Sequence, residues 1–539
     1  MPRVPQPAPV RIGASIAAVR VAAIERLRAV EEADGSLVIP TPEAPSDDLV
    51  TVLTLRADGA GTHVTARRRG SIQIPFFGWF FRPMARVAGN RAAAHAIATL
   101  QHVLEHAPAP KPPSGVIGLP NVGFSMEQAT LLASASAAVA VATFTSALFG
   151  QLADPIGDSF GASDAQLGVA LAVTRVGAIV ALFATALADR RGRRRAILLS
   201  VIGCTVACAV SAVAPTLAVF TTAQMLQRAF VNTTLIVAGI AVIEEAPEGA
   251  RAYSASMLAL AGGFGFSFAV IALPFADLGD DGWRIPYVLG ALTILIAPRI
   301  ARRLAETTRY QAVAERADIS RGRLKELMTS RYGRRFVLLA IIGFLANIFN
   351  APSSQLMNKY LSDVRDFSNS GIALFRTVTT GLPGLVGLVM GGRLAEQRGR
   401  KPVAIVALLV ATTTQMVFFL QGGSILWLMS AISVLTSAAA GIALGTLDAE
   451  LFPTEVRGTS NALLLIVSVL GSVAGLVIAG ALSEPLGDIG KSIALCGIAG
   501  LVAAIFFVPR LPETHAQKLD DVSPSERPDE YGPEHERRD

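Results

Sequence analysis

Twelve apolar runs, each close to the roughly 20 residues a helix needs to cross a bilayer, occupy this chain between about residues 130 and 508. They fall near 130–152, 166–188, 196–214, 216–243, 253–276, 285–301, 336–357, 371–394, 402–420, 425–447, 460–482 and 491–508. Backbone N–H and C=O groups in hydrocarbon have no water to bond, so a run of this length must satisfy its own hydrogen bonds as a helix. The charge distribution agrees. Only 16% of residues are charged, against about 25% in soluble domains. Those charges crowd into the first 115 residues, the last 30 and a few loops.

The densest loop is Ala188-Asp189-Arg190-Arg191-Gly192-Arg193-Arg194-Arg195, a tight turn between two apolar runs. Gly192 supplies the turn and the arginines hold it on the cytoplasmic side. The pattern returns at Glu396-Gln397-Arg398-Gly399-Arg400-Lys401, an offset of 207 residues for both acid and glycine. Two further patterns repeat in the same order. Glu244 to Arg251 and Glu450 to Arg457 share the form E-x-x-P-x-x-x-R at an offset of 206, and Arg303-Leu304-Ala305-Glu306-Thr307 returns as Arg510-Leu511-Pro512-Glu513-Thr514 at 207. A unit of about two hundred residues therefore occurs twice, which is how many transporters enclose a mid-membrane site. The expected fold is an all-α membrane protein with 12 transmembrane helices in two pseudo-symmetric six-helix bundles, preceded by a small N-terminal α+β cytoplasmic domain.

These loop patterns, D-R-x-G-R-R, E-x-x-P-x-x-x-R and R-L-x-E-T, resemble those of the major facilitator superfamily over about Gln128 to Thr514. Asp281-Gly282-Trp283-Arg284-Ile285-Pro286-Tyr287 resembles its metabolite:proton symporter branch, alongside the sugar-transporter-like members. The resemblance implies gating charges: Asp189, Arg190, Gly192, Arg193, Glu244, Arg251 and Glu306 in the first half, and Glu396, Gly399, Arg400, Glu450, Arg457 and Glu513 in the second. Asp189 would dock on the positive N-terminus of the eleventh helix, and Glu396 would face the start of the fifth. The alternative is that these charges only set topology. Thr185 departs from the family, which usually has glycine there; Gly392 keeps it in the second half.

Six segments follow: 1–107 as the cytoplasmic α+β domain, 108–128 as a Pro-rich linker, 129–301 as the first bundle, 302–335 as a basic cytoplasmic linker, 336–509 as the second bundle and 510–539 as a disordered cytoplasmic tail. In the first, helices over 16–30 and 86–106 flank a hairpin whose strands lie in 49–56 and 62–72, joined by Asp58-Gly59-Ala60-Gly61. The aromatic run Phe76-Phe77-Gly78-Trp79-Phe80-Phe81 reads as a plug beneath the last helix or as a membrane-interface element. Loops after the first and fifth runs carry Asp154, Asp158, Asp277, Asp280 and Asp281, whereas those after the second, sixth and eighth are rich in Arg and Lys. Basic loops stay inside, so both termini are expected in the cytoplasm of a multi-pass cell-membrane protein.

Ionisable groups within the membrane are costly and default to function. Arg175 lies fourteen residues before Asp189, about 21 Å along a helix at 1.5 Å per residue. Arg228 lies sixteen before Glu244, about 24 Å by the same rise. Neither recurs in the second half, as substrate residues need not. Both are expected to bind an anion in a central cavity with Gln224, Asn232, Asn347 and Asn350; Gln355, Thr143 and Thr145 are further polar candidates. Helix–helix packing is the competing role. The family's fourth helix usually carries arginine near the place of Gln224, and here Arg228 stands one turn on. No His and no mid-helix Asp or Glu lies in the runs, so proton coupling must use acids near helix ends, such as Asp154 or the gating acids. The expected partners are the lipid bilayer, a small-molecule substrate and protons, with no nucleic acid, cofactor or metal. Cys204, Cys208 and Cys496 read as packing residues, and no nucleophile–base set suggests an enzyme. The function expected is alternating-access transport of a small metabolite such as an organic anion, by proton symport or by facilitated diffusion. Efflux of amphipathic compounds, or a non-transporting sensor signalling through the N-terminal domain, are the alternatives.

Overall fold

The computed structural model describes residues 8–40, 50–69, 75–111, 124–247, 251–304, 333–452 and 454–513. Among them, twelve helices are long and apolar enough to cross a membrane. Spans 1 to 6 are Met126–Gln151, Asp164–Ala181, Arg193–Ala212, Leu217–Glu245, Tyr253–Leu278 and Arg284–Arg303. Spans 7 to 12 are Gly333–Gln355, Asn369–Leu388, Arg400–Leu420, Ser424–Gly445, Leu463–Ala481 and Ile489–Arg510. Most of the Pro-rich linker, of the basic linker and of the expected tail lies outside the described residues.

The chain divides into two compact units: Met1–Val139 with Ile236–Gly262 and Pro298–Gln311, and Ala140–Leu235 with Gly263–Ala297 and Ala312–Asp539. The first unit contains the N-terminal domain. Its strands β1 (Val10–Ile12), β2 (Val30–Glu31), β3 (Leu37–Pro40), β4 (Val50–Asp58) and β5 (Gly61–Arg69) form an antiparallel sheet of order β1-β5-β4-β3-β2. The hairpin is β4–β5, closed by the two residues Gly59-Ala60 between the paired Asp58 and Gly61. Gly59 has φ +60°, as a primed hairpin turn requires at its first central position. Helices α1 (Ile16–Leu27) and α2 (Gly78–Glu105) complete the domain, with Ile12, Val19, Leu37, Leu53, Val64 and Leu100 in its core. Helix α2 starts eight residues before the expected 86 and takes the aromatic run into its first turns. The side chains of Trp79, Phe80 and Phe81 lie outside the described residues. The first unit also pairs the starts of spans 1 and 5, where Phe124 and Tyr253 rings lie 5.9 Å apart.

In the second unit the duplication is visible as packing. Helices can touch closely only where one lacks a side chain, and the chain places glycines at matching crossings. A Cβ on Gly265 of span 5 would lie 2.2 Å from the Ala140 carbonyl of span 1; one on Gly471 of span 11 would lie 2.3 Å from the Phe344 carbonyl of span 7. Gly290 of span 6 abuts Cys208 of span 3, and Gly497 of span 12 abuts Met416 of span 9. Spans 2 and 4 meet at Gly177, spans 8 and 10 at Gly387. The turns repeat as well: Gly192 and Gly399 open spans 3 and 9 at φ +98° and +97°, in a region closed to most L residues. Span 2 crosses span 11 where Gly168 and Gly480 face each other, joining the two sequence halves.

Candidate functional site

Arg175 and Arg228 share one narrow pocket, lined also by Ser146, Phe149, Leu171, Thr174, Gln224, Gln227 and Gln355. Gly177 makes this possible. A Cβ there would stand 2.2 Å from the Met225 carbonyl and 3.0 Å from Arg228 Cβ, so only glycine lets span 2 approach span 4 beside the arginines. Gly150 does the same for span 7, whose Gln355 amide occupies the space a Cβ would take. Arg228 Nη1 donates to Ser146 Oγ at 3.0 Å. Gln224 Nε2 donates to Ser211 Oγ at 2.8 Å and to Gln227 Oε1 at 2.6 Å. Gln227 Nε2 is buried with no hydrogen-bond partner. Among the described residues no carboxylate lines the pocket, so two guanidinium groups share a confined polar space there. The open space is small, about 10 Å³, close to what one water needs. An organic acid fits there only after the walls part.

The other expected polar residues lie elsewhere. Asn347 donates to Gly343 O at 2.8 Å and accepts from Ser472 Oγ at 3.3 Å, tying span 7 to span 11. Asn350 is exposed. Asn232 is half-buried with its Nδ2 unpartnered, and it does not line the pocket. Thr145 bonds back to its own helix at Val141 and Ala142.

At the end of the bundle opposite the Gly192 and Gly399 turns lies a second constellation. Lys359, on the short helix Met357–Asp363, is buried. Its Nζ lies 2.6 Å from Asp363 Oδ2, 3.1 Å from Asp154 Oδ1 and 3.4 Å from Asp164 Oδ1. Ser483 Oγ donates to Asp164. Asn358 donates to Gln151 O at 2.6 Å and to Gln151 Oε1 at 3.1 Å. Residues 151 and 358 are separated by the repeat length itself, so duplicate positions meet across the pseudo-twofold axis. Arg376, buried at the start of the eighth span, donates to Asn358 Oδ1 at 2.5 Å. Asp277 binds Asn369 Nδ2 at 2.8 Å and Ser370 Oγ at 3.0 Å. Burial alone would lower the Lys359 ammonium, but Asp154, Asp363 and Asp164 outweigh it and hold it above the usual lysine range. Burial, then a hydrogen bond to Asp154, pushes Asp363 up to about 7. Burial, then Asp154, raises Asp158. Sequence reasoning singled out Asp154 but not Lys359, which falls between apolar runs; the i, i+4 spacing of Lys359 and Asp363 was its only local signal.

Of the residues expected to gate, Glu513 meets the start of span 9: its carboxylate accepts from the Arg400 N–H at 3.1 Å and the Lys401 N–H at 3.0 Å. It caps the exposed N–H groups that open span 9. Arg193 is buried and Glu244 half-buried. Glu306 lies outside the described residues, as do the side chains of Asp189, Arg190, Arg251, Glu396, Glu450 and Arg457. The segment Asp281 to Tyr287 does structural work. Arg284 binds Asp281 at 2.7 Å and donates to the carbonyls of Ala212 and Ala214, closing the end of span 3. Trp283 and Tyr287 are fully buried against Phe220.

Twelve membrane-crossing helices, a duplicated packing scheme and a polar pocket between helices define a multi-pass membrane protein of the transporter class. A profile of the Major Facilitator Superfamily matches residues 135–447 and 375–528, and the chain belongs to that superfamily. Among curated relatives, the alpha-ketoglutarate permease of Escherichia coli K12 is 26% identical over 300 residues, 50% of this chain and 66% of that protein. The citrate-proton symporter of Klebsiella pneumoniae is 26% identical over 267 residues, 47% of this chain and 57% of its own. Neither match reaches two thirds of the relative's length. The inward-open xylose transporter XylE from E. coli superposes with a TM-score of 0.60 at 16% identity, covering 72% of this chain and 98% of that one. A bacterial homolog of the human lysosomal transporter Spinster, inward-facing and unoccupied, gives 0.59 at 16% identity, covering 71% and 96%. Such identities carry the fold alone.

Proposed function

We propose that the chain is a secondary transporter that carries a small organic anion by alternating access, with both termini in the cytoplasm and with protons as the coupling ion. The observation that carries this is the convergence of Arg175 and Arg228 on a pocket with no carboxylate among its described walls. A buried charge without a counter-ion is costly, so the pair favours a ligand that brings negative charge. Carboxylates suit it because the planar guanidinium can bond both oxygens at once. Gln227, with a free buried amide donor, supplies a third contact. Arg376 and the Lys359 cluster lie nearer the acidic end and belong to closure, as does Asp277.

Two of the relatives are named for organic acids, alpha-ketoglutarate and citrate, which fits this charge pattern. The test is uptake into proteoliposomes of labelled alpha-ketoglutarate, citrate and uncharged xylose, with and without an inward proton gradient. The expected result is gradient-driven uptake of an acid. Arg228→Ala should lose it by about 30-fold or more, since truncating one member of a buried charged contact costs roughly 2–5 kcal/mol. Uptake of xylose alone, or undiminished acid uptake by Arg228→Ala, would refute the reading.

A further inference from the structure

We propose that the Lys359 cluster is a proton-holding gate, shut while one proton sits among its carboxylates and released when that proton leaves to water. The inference rests on the alternating-access reading, but not on the identity of the substrate. Three carboxylates, Asp154, Asp164 and Asp363, contact one ammonium. They come from the helix after span 1, from span 2 and from the helix after span 7, so the cluster joins the two sequence halves. Fully ionised, it would leave two negative charges uncompensated. Asp154 and Asp363 press on the same Nζ, at 3.1 Å and 2.6 Å, and carboxylates crowded into one site favour holding a proton among them.

The remaining surroundings do not replace that proton. Ser483 donates to Asp164. Asp158 adds a further negative charge near Asp154. The other cations at this end are turned elsewhere: Arg376 to Asn358 Oδ1, Arg365 to Tyr360 and Gln421 and Lys491 to Asp488, while Asn358 spends its donors on Gln151. Removing the proton therefore sets Asp154 against Asp363 with only Lys359 between them. Parting the helices would let water solvate both acids.

The sign follows from linkage. In the closed gate Asp363 sits at about 7; in water an aspartate titrates near 4. The closed state thus binds the proton more tightly. Its advantage is complete below about pH 4, falls about tenfold per pH unit between about 4 and 7, and is gone above about 7. Acid outside would favour shutting this end, the order of events a symport cycle needs.

The experiment uses the full chain in lipid nanodiscs without any organic acid, so that its failure is separate from failure of the uptake assay. Spin labels go on Ser159→Cys and Glu484→Cys, both at exposed positions, and double electron–electron resonance reads their separation from pH 5 to pH 9. The short distance should dominate at pH 5, give way between about pH 5 and 7, and change no further above that. Asp363→Asn, neutral like the protonated acid, should remain short at pH 8, and Asp363→Glu should restore a titration. A distance distribution unchanged across the range would overturn the proposal. So would an Asp363→Asn protein that titrates like its parent, or loss of the transition on Asp158→Asn instead.

Discussion

Gly265→Ala tests whether the close crossings hold each half together. The added Cβ would stand 2.2 Å from the Ala140 carbonyl oxygen and 2.9 Å from the Phe144 nitrogen. A carbon rests about 3.3 Å from a carbonyl oxygen, so spans 1 and 5 must separate by about 1.1 Å. Both contacts are backbone, which cannot swing aside as a side chain can. Overpacking of this kind costs about 1–3 kcal/mol. Gly263→Ala, two residues earlier, is the control, because its Cβ would meet nothing within 4 Å. That substitution should be neutral, or stabilising by up to about 1 kcal/mol through helix propensity. Thermal unfolding in detergent reads the difference. Gly265→Ala should lower the midpoint by several degrees, at roughly 2–4 °C per kcal/mol, while Gly263→Ala leaves it or raises it. Gly471→Ala, at the duplicate crossing, should cost a similar amount. Equal midpoints for Gly263→Ala and Gly265→Ala would refute the reasoning.

Lys359→Met leaves Asp154 and Asp164 without their cation, a loss of about 3–5 kcal/mol for a buried pair. The loss should shrink at pH 5 and be partly recovered by adding Asp154→Asn, read by chemical denaturation as a double-mutant cycle. Glu513→Gln keeps the shape of the cap on span 9 but removes its charge. It should cost about 1 kcal/mol of thermal stability, and an unchanged unfolding curve in low salt would show that Glu513 does not cap that helix.

Much of this architecture was legible in the chain itself. Apolar runs of bilayer length must become helices because lipid offers the backbone no alternative partner, and a repeat near 207 residues dictates two similar halves. Gly192 and Gly399 could be read as turns because few other residues reach positive φ. Arg175 and Arg228 stood out because a cation in hydrocarbon is expensive wherever it is placed. What periodicity could not decide is which helix faces meet. That Arg175, Arg228 and Gln355 share a pocket depends on Gly177 and Gly150 allowing close approach, and a glycine does not announce its neighbour. Asn347 looked equally fit for a ligand, yet it binds Ser472. Lys359 showed in the sequence only as the i, i+4 partner of Asp363, because its significance is the meeting of Asp154, Asp164 and Asp363 across two halves. Hydrophobic length is a local property and survives in a linear reading. Charge pairing between distant segments exists only once the chain has folded.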